Sequence, residues 1–298
     1  MKPGAQSLLL VHLSAILLGF LGPTLKVIPA SSASIVFGRS LIQCLGLALM
    51  VWIAGRSLRL RSWSDFRIVF LLGILQAFQW WTFIFAIQVS TVAIALISTF
   101  SFPVWLALFE PVFFRERFRI RNLLTGATVI LGLFLIAPGE LGFGLPAERW
   151  YGLLSGTASG ILVAIVMLVT RKAVREISSV TINFYESLIT ALLFSVFAVS
   201  MSLGAMDWAR LGYIALFFSG LPYLLITFSM RHLEARRVGM IVSLEPMYGI
   251  LLAAALLSEI PDLLTIIGGT LILAISILET VTRKDIADME SSFLKHPQ

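Results

Sequence analysis

The chain has 298 residues, 58% hydrophobic and only 13% charged, with 22 Lys+Arg against 16 Asp+Glu for a formal net charge of +6. Soluble domains carry roughly 25% charged and 45–50% apolar residues, so composition excludes an ordinary soluble domain and points to lipid as the solvent. The basic residues lie in short clusters between apolar runs, which suits membrane flanks rather than a nucleic-acid surface.

One membrane crossing takes about 20 apolar residues. In chain order the predicted spans are 7–28, 33–54, 66–87, 91–113, 120–137, 150–171, 180–203, 209–231, 236–257 and 262–280, followed by a polar tail over 283–298. Lys2 and the small residues Ser31, Ser32 and Ala33 fit a cleaved leader. His12, Pro23 and Lys26 interrupt its apolar stretch, so the first span is read as a retained helix. Cys44, the only cysteine, lies inside the second span, so the chain has no internal disulfide and Cys44 is read as structural. Backbone groups in hydrocarbon must be satisfied internally, which leaves helices or a closed barrel. Residues 122–137 are apolar on all sides rather than alternating, which favours helices.

Loop charges give an orientation. With a cytoplasmic N-terminus, the inner segments hold eighteen Lys and Arg residues and the outer segments only Lys26, Arg149 and Arg210. Arg39 remains inside a span. Both termini are then cytoplasmic, which agrees with an even number of helices.

Residues 100–116 (FSFPVWLALFEPVFFRE) and 243–259 (SLEPMYGILLAAALLSE) share Pro103 with Pro246, Leu108 with Leu251, and Glu116 with Glu259, all at an offset of 143. An offset near half the length implies five helices per half, and an odd number implies opposite insertion. The loop after the first stretch is basic, RERFRIR, whereas its counterpart SEIPDL carries no basic residue. This is the pattern of inverted-repeat carriers, whose site lies near the midplane between the halves. The proline-containing helix, apolar stretch, glutamate and short helix, once per half, resemble the EamA-type members of the drug/metabolite transporter superfamily. The resemblance implies an all-α fold of ten transmembrane helices as two inverted repeats, 1–145 and 146–282, around a central cavity. It also implies export of amino acids or related metabolites across the cytoplasmic membrane. Glu245 before the second proline, where the first copy has Phe102, is a departure from the repeat.

Charges within spans are costly and therefore mark functional candidates: His12, Arg39, Glu186 and Glu245. Glu110 is expected to snorkel or pair with the adjacent arginines of its loop. Arg39 and Glu186 each precede Ser-Leu-Ile and match in the repeat. At about 1.5 Å of rise per residue, opposite insertion puts them in different thirds of the bilayer, so no direct contact is expected. Gln76, Gln79, Trp80, Ser98, Thr99, Tyr223, Ser243, Glu245 and Tyr248 are the candidate substrate contacts. Trp80 and Tyr223 are expected to stand as opposing walls of a pocket. His12, Arg39, Glu186, Pro103 and Pro246 are candidates for proton coupling or gating, the prolines because each frees a carbonyl one turn back. No phosphate loop, paired metal ligands or nucleophile motif is present, so neither ATP, a metal nor another cofactor is expected. The expected partners are a small-molecule substrate and the bilayer, with homodimerisation left open. A lipid-modifying enzyme, which would gather His12, Glu186 and Glu245, and a passive channel are the alternatives to a secondary carrier.

Overall fold

The computed structural model describes residues 3–26, 28–115, 120–136, 147–200, 203–248, 263–264, 266–268, 270–272 and 274–275. Glu116, Glu259, the loop over 258–262 and the tail over 283–298 lie outside them. The described residues form helices and no strand. The helices are α1 (Pro3–Leu18), α2 (Leu21–Lys26), α3 (Ser32–Ile53), α4 (Trp63–Val89), α5 (Val92–Thr99), α6 (Phe102–Phe114), α7 (Ile120–Ile136), α8 (Ala147–Ala173), α9 (Ser179–Leu193), α10 (Ala205–Tyr213), α11 (Leu221–Ser229) and α12 (Ala235–Val242). A 3-10 segment, Ser195–Ser200, follows α9, and a π-helical segment, Ile214–Gly220, joins α10 to α11.

Local chemistry sets these boundaries. Each helix start leaves backbone N–H groups without intrahelical acceptors, which a short polar side chain can satisfy. Ser31, Thr91 and Ser178 each accept from the N–H three residues on. Ser62 and Asp65 form a reciprocal capping box at the start of α4. Gly55, at φ 59°, closes α3 in the left-handed conformation that lets a helix stop.

Among the described residues, five stretches are long and apolar enough to cross a membrane: Ser32–Ile53, Trp63–Val89, Ile94–Phe114, Glu148–Ala173 and Ala205–Ser229. Their apolar windows are only 44–56% buried. One face of each therefore packs on protein while the other, with side chains such as Trp52, Phe78, Val112, Leu154 and Phe217, is exposed. In water so large an apolar surface would drive association; in a bilayer it meets acyl chains.

Several predicted spans are interrupted. The first breaks at Gly19–Phe20, the fourth at Phe100–Ser101, and the ninth at Ser243–Leu244, after which residues 245–248 resume helical geometry. The eighth passes through the π-helical segment. Pro103, Pro222 and Pro246 each fall within the first turn after an irregular stretch. At Pro103 and Pro246, where a new helix begins, a missing N–H costs no hydrogen bond and the fixed φ suits that helix, whereas the backbone before Pro222 is already helical and the proline interrupts its ladder.

The most extensive packing is between α4 and α8. α8 also packs closely along α5 and the end of α4, and that approach depends on glycines four residues apart, Gly152, Gly156 and Gly160, which leave one stripe of α8 without side chains. A Cβ on Gly156 would overlap Ser98 Oγ, and one on Gly160 would lie 2.6 Å from the Thr99 carbonyl oxygen. Gly156→Leu is expected to destabilise by about 3 kcal/mol, the upper part of the overpacking range. Thermal unfolding in detergent measures it; an unchanged midpoint would show that α5 and α8 separate freely.

Candidate functional site

The interruptions converge on one cavity. Leu18 and Leu21 line it from either side of the first break, and Thr99, Phe100 and Phe102 from the second. Tyr223 and Ile226 follow the π-helical segment, and Val242 and Glu245 flank the break after α12. Gln79, Trp80 and Phe83 on α4, with Val163 and Met167 on α8, complete the wall. The lining is mostly apolar and aromatic with a few polar groups, the usual make-up of a small-molecule site. Gln79 is fixed by donating from Nε2 to Ser159 Oγ at 3.1 Å, while Ser159 donates to the Gln79 carbonyl at 3.3 Å. Thr99 Oγ1 has no hydrogen-bond partner among the described residues. Glu245 is 7% exposed and forms no hydrogen bond or ion pair among the described residues.

Trp80 and Tyr223 do not face each other across the cavity. Their ring centroids are 5.4 Å apart, so they form one continuous patch of wall. They also line another, smaller pocket with Arg39, Gln76, Asn183 and Glu186. Arg39 is 3% exposed. Its Cζ lies 3.7 Å from the Trp80 ring centroid, a cation–π stack. Nη1 donates to Gln43 Oε1 at 3.0 Å and to Ser219 Oγ at 3.1 Å, and Nη2 donates to Ser40 Oγ at 3.4 Å. Gln43 is one helical turn from Arg39 on α3, and Ser219 lies in the π-helical segment. Gly220 lets that segment approach α3: a Cβ there would lie 3.3 Å from Gln43 Cγ.

Arg39 and Glu186 form no ion pair in the structure, as expected, yet their side chains reach the same space. They share the smaller pocket. Depth counted along a helix places Cα atoms, whereas a long arginine side chain carries its charge several ångströms from its Cα.

The other predicted residues take different places. His12 Nδ1 and Tyr248 Oη are hydrogen-bonded at 3.0 Å, tying α1 to the turn after Glu245. Gln76 lies in the smaller pocket, with a long 3.5 Å contact to Gln79. Ser98 donates to the Ile94 carbonyl and abuts Gly156; Ser243 donates to the Gly239 carbonyl and is fully buried. Both serines turn onto their own helices. Pro103 and Pro246 are buried beside the cavity's two breaks. Glu110 does not snorkel. It is 3% exposed, accepts from Arg171 Nη1 at 2.7 Å and lies 3.9 Å from Arg236 Nε. Among the described residues its partners come from α8 and α12.

Sequence reasoning did not single out Gln43, Ser159, Ser219 or the glycine stripe of α8. Gln43 and the glycines carried a readable signal, since residues four apart share a helix face. Ser159 and Ser219 met their partners through tertiary packing.

Comparison with known proteins gives a consistent picture. The model of the EamA-like transporter family matches residues 5–137 and again residues 150–280. An uncharacterized transporter of Archaeoglobus fulgidus is 28% identical over 195 residues, 65% of this chain and 68% of that protein. The uncharacterized transporter YxxF of Bacillus subtilis is 23% identical over 293 residues, 97% of this chain and 94% of its own. A solved crystal structure shares the fold at a TM-score of 0.78 and 17% identity, covering 95% of this chain and 99% of the other.

Proposed function

Because the chain belongs to the EamA-like transporter family, and is a multi-pass membrane transporter, we propose that it is a secondary carrier working by alternating access. It exports a small metabolite, an amino acid or a related compound, across the cytoplasmic membrane. Two five-helix halves, 1–145 and 146–282, insert oppositely and rock about the cavity, with both termini in the cytoplasm.

The observation that carries this reading is the convergence of interrupted helices on one cavity. Irregular backbone at membrane depth is tolerated where it is buried in protein or lines a cavity, and carriers place it at the substrate site. The breaks after Leu18, Thr99 and Val242 and the π-helical segment all border the same space. They are natural positions for the local bending that alternating exposure requires.

A lipid-modifying enzyme would need His12, Glu186 and Glu245 assembled as one catalytic group. His12 is bonded to Tyr248, Glu186 shares a pocket with Arg39, and Glu245 borders the main cavity, so the three serve different surroundings.

Flux across proteoliposomes tests the proposal. Purified protein is expected to give saturable flux of at least one member of a panel of labelled amino acids and their amine and alcohol derivatives. Opposite-side loading is expected to accelerate exchange. Folded, reconstituted protein that moves nothing in the panel would overturn the carrier reading.

A further inference from the structure

We propose that the main cavity takes an organic ammonium ion with an aromatic or branched aliphatic body, and selects against the same body carrying a carboxylate. This rests on the carrier reading and narrows its substrate class to amines.

Glu245 is the only charged side chain among the described residues of the cavity wall. It is more than nine-tenths buried and forms no hydrogen bond or ion pair with any described residue. A buried carboxylate is costly without a partner, and the described residues of the wall supply no hydrogen bond or ion pair. A ligand ammonium would meet that need with a charge-assisted hydrogen bond. The rest of the wall suits such a ligand. Trp80, Phe83, Phe100, Phe102 and Tyr223 present aromatic surface, which accepts apolar groups and attracts cations through its negative faces.

The surroundings also explain the selection against zwitterions. A substrate carboxylate needs a cation or several donors. The nearby candidate is Arg39, but it lines only the smaller pocket. Its guanidinium is stacked on Trp80 and hydrogen-bonded to Gln43, Ser219 and Ser40. Trp80 and Tyr223 line both spaces and form the partition between them. An amino acid seated with its ammonium on Glu245 would therefore hold its own carboxylate against apolar wall. The single acid also has no counterpart in the other half, since Phe102 occupies the matching position and itself lines the cavity. The wall is thus asymmetric in charge, as a ligand with one cationic end requires.

Three matched probes test the proposal on the purified full chain: phenethylamine, L-phenylalanine and 3-phenylpropionate, which share a phenyl ring and differ in their charged groups. Equilibrium binding by calorimetry is expected to rank phenethylamine at least about tenfold above phenylalanine, with no binding of phenylpropionate. Glu245→Gln, close in shape to the native residue, is expected to weaken phenethylamine by about tenfold or more. The ranking on unaltered protein needs no variant to fold. Phenylalanine binding as tightly as phenethylamine, or undiminished amine binding by Glu245→Gln, would overturn the inference. If amino acids cross proteoliposomes while no amine binds, the amine assignment fails and the carrier reading stands. If nothing in the panel crosses, the carrier reading itself fails.

Discussion

Replacing Glu110 with alanine is expected to cost about 3–5 kcal/mol, the range for removing one partner of a buried ion pair. Glu110 on α6 meets Arg171 at the end of α8 and Arg236 at the start of α12, with side-chain exposures of 4%, 13% and 5%. Without the carboxylate, two guanidinium groups remain in a poorly hydrated position, which costs more than the loss of the attraction itself. Arg171 has some relief, because its guanidinium also sits 4.6 Å from the Phe114 ring and is the most exposed of the three groups. Arg171→Ala is therefore expected to cost less than Glu110→Ala. The double variant should fall short of the sum of the two, since both single changes remove the same Glu110–Arg171 contact. Thermal unfolding of the four proteins in one detergent measures the coupling; additive costs would show the pair to be energetically idle.

The same substitution has a functional consequence in the proposed cycle. Glu110 lies in residues 1–145, and both arginines lie in residues 146–282, so the cluster clasps the two halves at the end that the charge pattern places in the cytoplasm. Releasing the clasp is expected to raise labelling of a cysteine introduced at Thr99 by an impermeant reagent supplied from that side. A Cys44→Ser background removes the only native thiol. Labelling that does not change would show that the cluster holds the fold without guarding the cavity.

Whether a residue's place was legible in the sequence depended on how many partners had to be known. The spans were readable because hydrophobicity is local: α4 and α8 each cover the predicted run and extend it by a few residues, and α3 matches its run to within one residue at each end. Trp80, Tyr223 and Glu245 were readable as cavity groups because aromatic or charged side chains in mid-span have few bland uses. Their relative placement was not readable, since it depends on rotation about α4 and α11. Hydroxyls were the least legible. A serine in a helix always has a carbonyl one turn back within reach, and Ser98 and Ser243 both take it. Thr99, adjacent to Ser98, borders the cavity instead, and nothing in the local sequence separates the two. The burial of Glu110 against Arg171 and Arg236 was not legible, because those partners are 61 and 126 positions away.

Arg39→Lys is expected to be as damaging to function as a full truncation, although the charge is kept. The native side chain lies flat on Trp80 and spreads donors to Gln43, Ser219 and Ser40. Lysine has neither the planar face nor the fork, and its ammonium is harder to dehydrate. Losing the stack and two charge-assisted hydrogen bonds should cost about 2–4 kcal/mol. The damage reaches the cavity because the stacked ring is part of its wall: once the guanidinium leaves one face of Trp80, the ring is no longer held against Tyr223. Exchange flux is expected to fall by about tenfold or more, with a smaller change for Gln43→Ala, which leaves the stack in place. Glu186 supplies the closing test. It shares the smaller pocket with Arg39 without pairing to it, so any interaction acts through space. In an Arg39→Met background, Glu186→Gln should cost less than in the native chain, with a coupling of about 1 kcal/mol. A null coupling would mean that the two intramembrane charges act independently, and that Arg39 serves only to brace Trp80.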